Sequence, residues 1–126
     1  MTPYVVHPIW CAATILCEPN LPAEVRRLGC RVLLWHDTLE DTTLPLPASV
    51  DTETARYVEE MTFDSFAQER ELIWERSETT RLFKLYDKVS NLLDGTWMGT
   101  EKWNVYATHT RRLTDDVRQI WGGLNM

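Results

Sequence analysis

The chain has 126 residues, 44% of them hydrophobic and 25% charged, which suits one folded domain and leaves no room for a second module. Thirteen basic residues against nineteen acidic ones give a net charge of -6, which disfavours non-specific binding to nucleic acid or to an anionic membrane. No apolar run approaches the ~20 residues of a bilayer span, and the N-terminus lacks a secretory signal's basic start and hydrophobic stretch, so a cytoplasmic protein is expected.

Helical spacing dominates, and Pro, Gly and short polar clusters mark the breaks. A first helix is predicted over Pro8 to Cys17, with Pro8 in its first turn and EPNLP ending it. A second runs from Pro22 through LLWHD and stops before LPLP. A third lies near Asp51 to Met61, where Asp51 can cap and Ala55, Val58 and Met61 offer an apolar side. The fourth spans about Asp64 to Glu75. The fifth begins at Ser77, an N-cap residue, and stops at Gly95. The sixth covers roughly Thr100 to Trp121, halted by Gly122 and Gly123. No segment alternates with period two, so the expected fold is all-α, a compact bundle of five or six helices forming one domain over residues 1–126. Cys11, Cys17 and Cys30 are odd in number and contain no CxxC pair; they read as small core residues in a reducing compartment.

Chemistry concentrates in three places. At about 100° per residue, Val25, Gly29, Val32 and Leu33 lie within about 60° of His36, so its imidazole points into an apolar face and must find partners there. A backbone carbonyl would satisfy it. Yet Asp37 is adjacent, and Glu40 and Asp41 follow within about a turn, crowding carboxylates at the negative end of a helix. A divalent cation would balance that charge, imidazole and carboxylate being ordinary ligands for Mn²⁺, Fe²⁺ or Zn²⁺; alternatively the three acids are solvated and end the helix.

On the fifth helix Leu82, Leu85, Val89 and Leu92 share one face, and Thr80, Lys84, Asp87 and Asn91 line the opposite one. The commoner meaning of such a stripe is a solvated row. The alternative is a central helix whose polar stripe faces a cleft, with Asp87 on a metal and Lys84, Lys88 and Asn91 near phosphate oxygens. His7, before Pro8, reads as a terminal histidine whose ring can turn inward. His109, in YATHTRRLTDD, reads as a surface residue or a pocket wall.

Taken together, YVVHP (Tyr4 to Pro8), HDTLEDT (His36 to Thr42) and KLYDKVSNL (Lys84 to Leu92) resemble the HP, HDxxEDT and KLxDKxxNL motifs of the HD-domain hydrolases. Specifically, they resemble the RelA/SpoT-type (p)ppGpp hydrolase domain and its small stand-alone relatives. VEEMTF (Val58 to Phe63) is similar to the segment between the second and third motifs, so the resemblance covers nearly the whole chain. It implies one divalent ion, usually Mn²⁺, held by His7, His36, Asp37 and Asp87. It implies that Glu40 and Asp41 serve the attacking water and the transition state, and that Asn91 sits near substrate and metal. Lys84 and Lys88 are its candidates for supporting phosphate charge.

The reaction implied is release of pyrophosphate from the 3′ position of ppGpp or pppGpp, a small guanine-nucleotide substrate, with no nucleic-acid or membrane partner. Two departures bear on the substrate. The family's basic helix before the HP motif is expected to be lacking, and Ser90 stands where the family usually has His or Tyr. Arg26, Arg27, Arg81, Arg111 and Arg112 are candidates to replace the lost basic groups. An HD phosphohydrolase of another nucleotide and a non-catalytic binding module stand as alternatives, and the oligomeric state is open.

Overall fold

A computed structural model describes residues 6–41, 45–95 and 98–126, with the side chains of 38–41 outside that description. Its helices are α1 (Val6–Leu16), α2 (Ala23–Asp41), α3 (Thr52–Met61), α4 (Phe66–Leu72), α5 (Glu78–Leu93) and α6 (Thr100–Trp121), with a 3-10 turn at Ile73–Glu75 after α4. No strand occurs among the described residues, so the fold is all-α. No helix among them is long and apolar enough to cross a membrane.

Side-chain caps explain the starts of α3, α4 and α5. The Asp51 carboxylate accepts from the Thr54 amide at 2.7 Å, and the Ser77 hydroxyl accepts from the Thr80 amide at 3.2 Å, each satisfying an amide that the first turn leaves without a helical partner. α4 starts at Phe66, two residues later than the spacing predicts, because Ser65 caps it, accepting from Gln68 N. At the other end of the chain Gly122 takes a φ of 87°, a conformation that side chains disfavour, and α6 stops there. α5 ends without such a turn: Leu93 is its last residue and Asp94 caps it.

α5 is the axis of the bundle and packs against α1, α2, α3 and α6. Leu82, Phe83, Leu85 and Tyr86 from α5 join Cys11 and Ile15 of α1, Val32 and Leu33 of α2, Val58 and Met61 of α3 and Leu113 and Val117 of α6 in one buried cluster. Each large side chain so buried contributes roughly 1.5–3 kcal/mol relative to exposure. α1, α2 and α5 approach one another closely at Gly29, where a Cβ would stand 2.8 Å from Phe83 Cε1 and would also strike Ile15 Cδ1. The absent side chain thus draws together the three helices that, two turns further along α2, hold His36 and its neighbours.

Two expectations change. The polar stripe of α5 is no solvated row: Thr80, Lys84, Asp87 and Lys88 are buried, because α3, α4 and α6 close over that face. Among the cysteines Cys11 is in the core, but Cys17 is exposed at the end of α1.

Candidate metal centre

His7 comes from the first turn of α1, His36 and Asp37 from the later turns of α2, and Asp87 from the middle of α5. One ligand atom from each lies within 4.8 Å of all the others, an arrangement that could hold a metal ion. His7 Nε2 is 2.8 Å from Asp87 Oδ1, 3.3 Å from His36 Nε2 and 3.6 Å from Asp37 Oδ2. His36 Nε2 is 2.9 Å from Asp37 Oδ1 and 3.0 Å from Asp87 Oδ1. These are the four residues that the resemblance names as ligands, brought together from positions 80 residues apart at the extremes. The His36 and Asp87 side chains are enclosed, whereas those of His7 and Asp37 keep 20% and 12% of their surface, so the cluster opens to solvent on the His7 and Asp37 side.

Proton bookkeeping shows what the cluster lacks. The other nitrogen of His36, Nδ1, lies 2.6 Å from the Leu33 carbonyl, which can only accept, so Nδ1 carries a hydrogen. A neutral His36 then presents the Nε2 lone pair to two carboxylate oxygens and to the Nε2 of His7. Lone pairs facing at such distances need a cation between them. In the protein alone a proton fills that role: burial opposes the imidazolium, but the charges and hydrogen bonds of Asp87 and Asp37 outweigh it and raise His36 to about 10. A divalent ion satisfies the same lone pairs. His7 is oriented too, its Nδ1 lying 2.8 Å from the Ser90 hydroxyl, so both imidazoles have a partner on the nitrogen away from the cluster, as metal-binding histidines characteristically do.

Asp87 is kept ionised against its surroundings. Burial alone would favour the neutral acid, yet the ammonium groups of Lys84 and Lys88, followed by His36, hold its carboxyl well below the usual range. Lys84 Nζ is 3.2 Å from Asp87 Oδ2 and donates to the Met61 carbonyl at 2.9 Å, and Lys88 Nζ is 3.5 Å from the same carboxylate oxygen. Behind them stands Glu69, 2.8 Å from Lys88, 3.4 Å from Lys84 and 3.0 Å from His109 Nε2. Its burial works against the carboxylate, but His109 and the two lysines lower its pKa nonetheless.

The structure therefore places Lys84 behind Asp87, with no exposed side-chain surface, and Lys88 beside it with little. Asn91 is half-buried on the same helix, its amide donating to the Tyr106 hydroxyl at 2.7 Å. Glu40 and Asp41 belong to the last turn of α2, and their side chains lie outside the described residues. Of the candidate arginines, Arg81 is committed to Asp116 at 2.8 Å, while Arg111 and Arg112 are exposed on α6.

Three contributors were missed in whole or in part by the sequence reading. His109 is no surface residue but the pocket wall of its other reading: it is 6% exposed, turned onto Glu69, and lines a pocket between α4 and α6. Glu69 sits in the polar string AQEREL, where no apolar periodicity marks it as the inward acid. Ser90 stood out as a departure from the motif, and what it touches is the His7 ring.

Comparison of the chain with protein-family models, curated proteins and solved structures finds no match in any of the three.

Proposed function

We propose that the protein is a divalent-metal-dependent phosphohydrolase, with guanosine 3′,5′-bis(diphosphate) the first substrate to test and GDP and pyrophosphate its products. The observation that carries the metal half of this reading is the convergence of His36 Nε2, His7 Nε2 and the oxygens of Asp37 and Asp87 around one point, with the outer nitrogens of both rings already engaged. The hydrolase half rests on HDTLEDT and KLYDKVSNL.

His7, His36, Asp37 and Asp87 would hold the ion. When bound, Mn²⁺ acidifies water and polarises a phosphoryl oxygen. Glu40, four residues beyond His36 on α2, is proposed to orient the attacking water and take its proton, with Asp41 supporting the charge that develops on the phosphoryl group. Substrate approaches from the His7 and Asp37 side, where the donors reach solvent. Lys84 and Lys88 keep Asp87 anionic rather than standing free for phosphate, and Asn91 lies one turn beyond Asp87 to meet the nucleotide. Three free cysteines accord with work in the reducing cytoplasm.

A second reading is favoured by the charges themselves. With His36 neutral, as a ligand must be, Asp37, Asp87 and Glu69 against Lys84 and Lys88 leave one negative charge in the buried cluster, and a divalent ion would turn it into one positive. That is little for a substrate with two diphosphates, so a nucleotide with fewer phosphates is the alternative. Purified protein with added Mn²⁺ and a nucleotide panel, followed for phosphate and pyrophosphate, separates the two. GDP with pyrophosphate from ppGpp supports the first. Turnover of another nucleotide supports the second, and metal binding without hydrolysis of any panel member removes the enzyme reading.

A further inference from the structure

On the far side of Glu69 from the metal cluster, a cavity of about 600 Å³ opens between α4 and α6. That volume is in the range of small-molecule sites, about 300–1,000 Å³. Arg70, Glu71, Asn104, Thr108, His109 and Arg112 contribute its polar lining. Two of these are cations laid on aromatic rings: the Arg70 guanidinium carbon is 5.2 Å from the Phe66 centroid and that of Arg112 is 4.1 Å from the Trp74 centroid. Stacking limits where each guanidinium can go while leaving its N–H edge for a ligand. Neither arginine has a carboxylate within ion-pair distance among the described residues.

The histidine supplies the second observation. His109 is 6% exposed and held edge-on against Phe66 and Trp74, with Nε2 on the Glu69 carboxylate. Glu69 can only accept, so Nε2 carries a hydrogen, and Nδ1 has no hydrogen-bond partner among the described residues although the ring lines the cavity. A nearly buried ring with one unengaged nitrogen lining a cavity that holds two arginines is a contact for a ligand. With Nε2 carrying its hydrogen towards Glu69, Nδ1 accepts a hydrogen bond there.

We propose that this cavity binds a phosphate monoester, held bidentately by Arg70 and Arg112 with a phosphate oxygen on His109 Nδ1. Planar guanidinium forks match the oxygens of such a group, and its monoprotonated form carries a hydroxyl that can donate to Nδ1. The overall charge of -6 points to a small ligand rather than a nucleic-acid strand. Glu71 at the rim offsets one of the two arginine charges, which favours a single phosphate over a polyphosphate chain.

The test uses full-length protein kept metal-free with chelator, so that the cluster around His36 does not compete for phosphate. Inorganic phosphate and guanosine monophosphate are titrated separately while ¹H–¹⁵N spectra follow the amides of α4 and α6 and the His109 ring. The expected result is saturable shifts centred on Arg70, Thr108, His109 and Arg112, with the monoester the tighter ligand. Arg112→Gln weakens binding about tenfold or more, Arg118→Gln leaves it unchanged, and circular dichroism reports that both variants fold. Shifts confined to other helices, no saturation at millimolar concentrations of either probe, or unchanged affinity in Arg112→Gln overturns the proposal. Tighter binding of inorganic phosphate than of the monoester overturns the ligand assignment.

Discussion

α5 and α6 are similar in composition and opposite in use. Each carries a stripe of charged residues beside a stripe of aliphatic ones. On α5 the charged side chains Lys84, Asp87 and Lys88 are buried, while on α6 Arg111, Arg112, Asp115 and Arg118 are exposed. Neighbours make the difference: α5 is enclosed by α1, α2, α3 and α6 and near the Glu69 side chain of α4, so both its faces are interior. Charges on the inner helix balance one another at close range in a poorly screened setting. Those on the outer helix are balanced largely by water.

Matched substitutions on the two helices expose that contrast. Asp87→Ala removes a proposed ligand and leaves Lys84 and Lys88 facing a lost carboxylate; breaking a buried pair in this way costs about 3–5 kcal/mol. Denaturant unfolding should show that loss together with abolished metal binding by elemental analysis. Asp115→Ala on α6 should stay within about 0.5 kcal/mol. Equal effects at the two positions would mean that the interior charges of α5 are solvated after all.

The next effect is in pH. Since the folded pKa of His36, about 10, lies above the ordinary 6.5, its stabilisation of the metal-free protein is complete below pH 6.5 and is lost as pH rises through 10. Metal must displace that proton, so apparent affinity should climb about tenfold per pH unit across this window, with one proton released per ion. Competition with a chelating indicator at several pH values measures it. A flat profile would show that His36 is neutral in the free protein or takes no part in binding. Asp87, held low, adds stability above the ordinary carboxylate range that disappears only in strong acid.

The smallest contrast concerns hydroxyls. Ser90→Ala frees His7 Nδ1 and should weaken metal binding about tenfold, within the range for loss of a partner behind a ligand. Thr114→Ala on α6, whose hydroxyl only returns to its own helix at the Thr110 carbonyl, should leave metal affinity unchanged. A Ser90 variant with wild-type affinity would show that His7 needs no orienting bond.

Local signals made much of the fold legible. Asp51 and Ser77 announced helix starts because capping is a contact between near neighbours, and Gly122 announced an end through its backbone freedom. The spacing within α5 separated its two faces correctly but could not say that both would be interior, which depends on how many elements pack around it. Glu69 and His109 were hidden for the same reason: each is one polar residue in a polar string, and its inward turn depends on distant partners, each other and, for Glu69, Lys84 and Lys88 as well. The convergence of His7, Asp37 and Asp87 on His36 was readable through motif order, whereas the Leu33 carbonyl that settles the His36 tautomer is a backbone atom that no side-chain pattern marks.

The sequence span of the cluster has a consequence for how the protein is made. His7, His36 and Asp37 leave the ribosome before Asp87, on two helices joined by a short turn, and Asp87 follows on a helix 80 residues after the first donor. An ion gripped by all four would act as a clasp across that loop, and clasps that close long loops are those that restrict the unfolded chain most. Loading would therefore come after α5 has docked, as a final locking step, and a nascent chain halted before Asp87 would hold three donors without the acid that joins them.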